Sequence, residues 1–318
     1  MGHGDYSHDA HAALLRGRAN APAHEVFQQQ SCHPLMNPKG VKLRECRDSA
    51  DHPQSLGIAF ALDVTGSMGG IPRLLASDAL PKFMKVLGDC NVKDPQLLFC
   101  AVGDATSDRA PLQVGQFEST AELMDQWLTW SFIESGGGGS GEESYELAMY
   151  FLALHTELDC KVKRNKRGYL FMTGDELPYP ILSRHIVETV TGDRLDDDLK
   201  VEEVVADLQQ SYVPFFLIPD PSRRARCEAR WRDLLGDNVL CLERPENVCY
   251  AAAGAIALCE GLVPDLRGLQ RLLEAAGAER DQIKGTVRAL APLADARAGT
   301  PSGAGPAAPS LLKRLFGK

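Results

Sequence analysis

No apolar run in this chain of 318 residues approaches the roughly eighteen residues that a membrane-spanning helix requires, so no transmembrane segment is expected. The opening stretch, MGHGDYSHDAHAALLRGRA, lacks the apolar centre of a secretory signal, and the expected location is cytoplasmic. Cysteine occurs nine times (Cys32, Cys46, Cys90, Cys100, Cys160, Cys227, Cys241, Cys249 and Cys259), an odd number with no Cys-x-x-Cys spacing. Several lie in apolar stretches such as LLFCAV and VLCLE, and these read as reduced core thiols rather than zinc ligands. Positive charge is scarce over most of the chain. Net charge is −9, and the residues from Leu262 onward hold nine Lys/Arg against five Asp/Glu, which leaves −13 on the first 261. Such an acidic body repels phosphate backbones, and no nucleic acid partner is expected.

What remains is ordinary globular material, 44% hydrophobic and 24% charged, enough for one large domain with appendages. Residues 1–54 read as an irregular arm, with His3, His8 and His11 solvated rather than forming a metal tract. From Ser55 strands and helices alternate. SLGIAFAL, QLLFCAVG, GYLFMTG, VPFFLIP and NVLCLE read as buried strands, and LQVGQFES as a shorter edge strand. Helices are expected over Pro72–Gly88 (restarted at Pro81), TAELMDQWL, Glu142–Leu158, Leu195–Ser211, Ser222–Leu235 and Glu246–Leu262. In the Glu142–Leu158 segment, Leu147, Phe151, Leu154 and Leu158 fall at helical spacing. The pattern predicts an α/β fold with a six-stranded, mostly parallel sheet, one antiparallel edge strand, and helices on both faces. In such sheets ligand sites lie beyond the carboxyl ends of the strands. A small helical appendage is expected over 263–293, a flexible linker over 294–309 and an apolar, basic peptide over 310–318.

Three expected strand-proximal loops carry oxygen side chains. The first strand runs into Asp63-Val64-Thr65-Gly66-Ser67-Met68, a carboxylate and two hydroxyls within five residues. A second loop carries four glycines followed by Ser140, Gly141, Glu142 and Glu143. A third strand ends in Thr173-Gly174-Asp175. Nearly all donors are oxygen, which favours Mg²⁺, then Mn²⁺ or Ca²⁺, over Zn²⁺. DVTGSM resembles the DxSxS signature of the von Willebrand factor type A domain, whose metal-ion-dependent adhesion site has this three-loop layout. The resemblance covers residues 55–262 and implies that family's Rossmann-like fold. It implies Thr65 and Ser67 as direct metal ligands, and Asp63 and Asp175 acting through water. In place of the usual Thr, the second loop is similar to the Gly-Gly-Asp-x-Pro-Glu variant of integrin β subunits, with Ser140 at the Asp position and Glu143 at the Glu position. DRAPLQVGQFES and RECRDSADHP resemble a bacterial branch of the family.

Asp104, in AVGDATSD at the end of the second strand, is an outer-shell candidate or a turn residue. His155 and His185 read as structural or solvated, and Lys161–Gly168 (KVKRNKRG) as a basic, solvated turn. No nucleophile–His pair, general base or phosphate loop accompanies the oxygen constellation, which argues against turnover. The resemblance implies a module that grips a carboxylate of a protein partner through the cation's open position. The alternative is a Mg²⁺-dependent phosphotransferase of haloacid dehalogenase type with Asp63 as nucleophile. Against it, Val64 stands where that chemistry places Lys, and no second Asp follows two residues after Asp63. A third reading is a scaffold whose cation only stiffens the loops. In the tail, Leu311, Leu312, Leu315 and Phe316 share one helical face beside Lys313, Arg314 and Lys318, and read as a docking peptide for a partner, or for the chain's own domain.

Overall fold

Eight consecutive residues, Leu56–Asp63, are buried without exception and form strand β1. A run apolar on both sides of its pleat suits the middle of a parallel sheet covered on both faces. The computed structural model describes residues 4–18, 21–68, 70–134 and 141–299. The other strands of the main sheet are β2 (Pro95–Val102), β3 (Leu112–Val114), β4 (Gly168–Thr173), β5 (Tyr212–Ile218) and β6 (Val239–Cys241). The six strands lie in the order β6-β5-β4-β1-β2-β3. All neighbours are parallel except β2 and β3, which pair antiparallel at one edge. This is the Rossmann-like α/β architecture expected from the alternation.

One register line organises the centre. Phe99, Phe60, Phe171 and Phe215 stand opposite one another across β2, β1, β4 and β5. Their rings follow at 5.9, 5.5 and 5.2 Å. A row of aromatic rings on one face resists slippage, because a shift of one residue would turn every ring to the opposite face.

The longer helices are α1 (His8–Arg18), α2 (Leu80–Asp89), α3 (Ala121–Thr129), α4 (Tyr145–Leu154), α5 (Val201–Ser211), α6 (Arg224–Leu235), α7 (Val248–Cys259), α8 (Leu266–Ala275) and α9 (Arg280–Gly299). Phe83 of α2 meets the phenylalanine row edge-on at Phe60; α7 and α8 pack on α2 on that side, and α9 packs on α7 and α8. Trp231 of α6 and Tyr145 of α4 meet Phe216 on the other side, where α4 packs on α5. The helix expected to restart at Pro81 does so. A short helix, Gly70–Leu74, continues through a widened turn whose Ser77 is non-helical (φ −99°, ψ −117°), and α2 begins with Pro81 in its first turn. There the missing N–H costs nothing, since it would have no partner in the helix.

Several expectations are corrected. The N-terminal arm is not irregular: it holds α1, a short helix Ala23–Val26 and a strand Arg44–Cys46. His11 is fully buried, its Nδ1 2.6 Å from the Tyr6 hydroxyl, while Arg18 pairs with Asp125 of α3. The arm also covers the sheet edge, where the Arg44 guanidinium donates to the Val114 carbonyl at 3.2 Å. An edge shielded in this way offers less to a foreign strand. His8 is exposed and His3 lies outside the described residues, so the three histidines form no observed group.

The helix expected over Glu142–Leu158 is shorter. Glu142–Glu143 pair with Leu177–Pro178, and Thr156–Leu158 pair with Arg44–Cys46, so Leu158 sits on a strand against Gly57 rather than on the helix face. Leu199–Lys200 likewise pair with Ile181–Leu182 ahead of α5. The helix α9 runs through Asp295 and Arg297, over the first residues of the expected linker. Residues 310–318, with Leu311, Leu312, Leu315 and Phe316, lie outside the described residues. Among the described residues no helix is long and apolar enough to cross a membrane.

The nine cysteines are free thiols. The basic segment Lys161–Arg164 belongs to a short helix whose charges are matched: Lys163 reaches Asp159, and Arg164 donates to Asp48 at 2.7 Å. His155 caps α4 and pairs with Asp193 at 2.6 Å, and His185 is exposed.

A Cβ at Gly168, the first residue of β4, would lie 2.6 Å from the Gly57 carbonyl oxygen and 2.6 Å from Leu158 Cδ1. Gly168→Ala is therefore expected to cost about 1–3 kcal/mol through overpacking. Gly17→Ala, on an exposed turn of α1 with nothing within 4 Å, is expected to gain roughly 0.5–1 kcal/mol. Urea unfolding of both variants checks the contrast; equal effects would contradict the close approach of β4 and β1.

Candidate functional site

The parallel register puts three chain reversals at one level. Asp63, the last residue of β1, stands opposite Val102, and the residue before it stands opposite Thr173. Gly174 therefore sits beside Asp63, and its N–H donates to the Leu217 carbonyl of β5 at 3.2 Å. The second loop is drawn to the same rim from both sides. Ser144 donates its N–H to the Gly103 carbonyl at 3.3 Å and accepts the Ala105 N–H on its hydroxyl at 2.9 Å. Leu177, beyond the third loop, donates to the Gly141 carbonyl at 3.1 Å.

Asp63 is fully buried and held by three donors. Its Oδ1 accepts the Thr65 N–H at 2.9 Å and the Thr65 hydroxyl at 2.6 Å, and its Oδ2 accepts the Tyr145 hydroxyl at 2.7 Å. The Thr65 hydroxyl donates its proton inward, which leaves its lone pairs available to a cation, as outer-shell carboxylates commonly arrange for a ligand. Tyr145 is placed by packing: its ring meets Phe216 at 5.3 Å and Trp231 at 5.4 Å, both edge-on. The same Trp231 donates its indole N–H to the Glu176 carbonyl at 3.0 Å, tying α6 to the third loop. Gly174 is required beneath this arrangement, since a Cβ there would lie 1.9 Å from the Tyr145 hydroxyl oxygen.

Five carboxylates crowd this rim with little exposure: Asp63 0%, Glu143 1%, Glu146 1%, Asp104 2% and Asp175 2%. Burial, then Asp175, pushes the Asp63 acid up to about 6 despite its three donors. Burial, followed by the neighbouring Asp63, pushes Glu143 up to about 9; Glu176 and Asp104 add to it and the Thr65 hydroxyl opposes it. Because the Thr65 hydroxyl gives its proton to Asp63, neither oxygen of Glu143 has a donor in hydrogen-bond geometry among the described residues. A buried carboxylate in that condition either holds a proton or requires a positive ion.

Of the residues expected at the site, Asp63, Thr65, Glu143 and Asp175 are thus brought to one rim. Asp104 lies near enough to raise Glu143, but its own oxygens are taken up: Oδ1 by the Thr106 N–H at 2.8 Å and the Tyr179 hydroxyl at 3.0 Å, and Oδ2 by the Thr106 hydroxyl at 2.8 Å. The Ser67 side chain and Ser140 lie outside the described residues. Among the described residues, no group of three or more His, Cys, Asp or Glu side chains is arranged to hold a metal ion.

Sequence reasoning missed Tyr145, Glu146 and Arg223. Arg223, just ahead of α6, reaches Asp175 Oδ2 at 3.4 Å through its Nε. A cleft of about 490 Å³ opens beside the site, with Met68, Ile71, Leu74, Asp175, Asp220 and Glu246 among its lining residues.

No protein-family model matches the chain, and no curated protein matches it. Solved structures with some likeness include proximal thread matrix protein 1 from the mussel byssus, with TM-score 0.39, 8% identity, and coverage of 65% of this chain and 46% of that one. The pilus adhesin SpaC from Lactobacillus rhamnosus GG, in its open conformation, gives TM-score 0.42 at 8% identity, covering 74% of this chain and 31% of that one. The chain spans less than half the length of either.

Glu146 supplies a test of rim electrostatics separate from the loop residues. Its Oε2 accepts the Tyr179 N–H at 3.1 Å, and burial pushes its acid from 4.5 up to about 8. The folded state then keeps a proton that the unfolded chain releases near 4.5, so the unfolding free energy falls as pH rises between these values. Glu146→Gln is expected to flatten that slope and to stabilise the protein above pH 8 by on the order of 1–3 kcal/mol. Urea titrations on either side of the interval measure it, and an unchanged slope would refute the assignment.

Proposed function

We propose that this chain is a divalent-cation-dependent protein-binding module of the von Willebrand factor type A kind, gripping a carboxylate of a partner protein. The observation that carries the proposal is Glu143, whose two carboxylate oxygens are buried without a partner among the described residues, beside Asp63. The donor set fits a hard cation, since Asp63, Thr65, Glu143 and Asp175 all offer oxygen. Thr65, Ser67, Glu143 and Asp175 would hold the ion, with Ser140 as a further second-loop donor and Mg²⁺ as the first choice over Mn²⁺ or Ca²⁺. Bound there, the ion supplies concentrated positive charge to an incoming carboxylate.

The chain's own residues do the positioning. Asp63 orients Thr65 and keeps the first loop closed against Tyr145. The phosphotransferase alternative is weakened by the same contacts: a fully buried carboxylate accepting from three donors is poorly placed to attack phosphorus. The tail peptide 310–318 is proposed as a second, weaker attachment point, joined through its linker to the acidic body.

A ligand that binds only the folded state raises its stability, by about 2.7 kcal/mol at 100 times the dissociation constant. Mg²⁺ or Mn²⁺ at that excess is expected to raise the melting temperature by on the order of 5 °C, and Thr65→Ala and Asp63→Ala are expected to lose most of the shift. Differential scanning fluorimetry with and without EDTA measures this. An equal shift in both variants would remove the site assignment, and release of phosphate from a generic phosphoester with Mg²⁺ would favour the alternative.

A further inference from the structure

A cationic side chain of the chain itself faces this rim. Arg223 Nε lies 3.4 Å from Asp175 Oδ2, with side-chain exposures of 29% for the arginine and 2% for the aspartate. Three of the arginines that follow it are engaged elsewhere. Arg224 and Arg232 both pair with Glu228, and Arg230 pairs with Glu202. Arg223 thus stands apart from the ladder of exposed ion pairs along α6 and turns toward the third loop.

Its backbone is fixed and its side chain is not enclosed. The Arg223 N–H donates to the Asp220 carbonyl at 3.1 Å, and the Ser222 N–H donates to Asp220 Oδ1 at 2.8 Å, within a turn that also contains Pro219 and Pro221. Behind it, Trp231 anchors α6 on Phe216 at 3.8 Å and on the Glu176 carbonyl. A long, half-buried side chain on a fixed stem can swing into solvent without moving the loop.

We infer that Arg223 is a built-in competitor for the cation: in the metal-free protein its guanidinium neutralises Asp175, and the divalent ion binds by displacing it. This rests on the cation-dependent reading above and adds a regulatory residue to it. A buried carboxylate beside Asp63 and Glu143 is costly without a counter-charge, and one positive group next to Asp175 repels a second. The arrangement offsets the charge of the rim before the ion binds, and it lowers the affinity of the site for the ion. Metal then binds as an exchange of one counter-ion for another, with a smaller net gain in stability than the bare carboxylates would give.

The experiment is a Mn²⁺ titration of the full chain, following free Mn²⁺ by electron paramagnetic resonance, with melting temperatures recorded in EDTA and in saturating Mn²⁺. Wild type is compared with Arg223→Gln, Arg223→Lys and Arg226→Gln, the last removing a nearby exposed charge of the same helix. Arg223→Gln is expected to bind Mn²⁺ roughly tenfold more tightly, a change of about 1.4 kcal/mol. It is also expected to melt below wild type in EDTA, with the two converging in saturating Mn²⁺. Arg223→Lys should fall close to wild type, and Arg226→Gln should change affinity less than twofold. Unchanged or weaker binding in Arg223→Gln, with wild type binding normally, overturns the inference. So does an equal gain in Arg226→Gln, which would reflect the general field, or a melting deficit that persists in Mn²⁺, which would mark a purely structural contact. If no form binds Mn²⁺ at millimolar concentrations, the cation-dependent reading fails and this inference falls with it.

Discussion

The alignment of Phe99, Phe60, Phe171 and Phe215 across four parallel strands sets the level at which every other feature of the site appears. With these rings opposite one another, Asp63, Val102 and Gly174 leave the sheet side by side. Slipping one strand by a residue would turn its rings to the other face and move its terminal carboxylate or glycine out of the group. The chemistry at the rim is thus fixed by packing several residues below it, in a part of the sheet that carries no polar side chain in that row.

Above that level the cost of burying negative charge outweighs the rest. Asp63 meets it with three hydrogen bonds, Asp104 with a closed turn, Asp175 with a guanidinium, and Glu143 with no hydrogen-bond partner among the described residues. Carboxylates so near one another could not all remain ionised in a dry rim. Donors shared along the loops reduce the repulsion without removing it. The residual imbalance distinguishes this rim from the rest of the surface, where acidic groups such as Glu228 and Asp48 are matched by arginines.

The strands were legible because central parallel strands are uninterrupted apolar runs, and their order of alternation with helices left few alternatives. The restart at Pro81 was legible because proline is far better accommodated in the first turn of a helix than in its interior. The two-residue pairings at Glu142–Glu143 and Leu199–Lys200 were not, since segments so short carry no periodicity and exist only through partners far along the chain. Tyr145 was hidden for a similar reason: its contact with Asp63 spans 82 positions, and a tyrosine at a helix start carries no mark of its partner. The arm was misread because its polar residues looked solvated. His11, Arg18 and Arg44 instead find Tyr6, Asp125 and the Val114 carbonyl, matches that become visible only after the sheet has formed. Among the oxygen residues of the three loops, local spacing placed Asp63, Thr65 and Asp175 at the rim, while the counter-charge on Asp175 came from a distant turn.

Gly174 has a consequence for how this protein can vary. The position carries no charge, yet any side chain there would occupy the space of the Tyr145 hydroxyl. Displacing that hydroxyl releases Asp63, and Asp63 in turn orients Thr65. A single methyl group can therefore undo the geometry of a loop 109 positions earlier in the chain, counted from Thr65 to Gly174. Variation at this position is thus closed to any residue with a side chain unless Tyr145 changes with it.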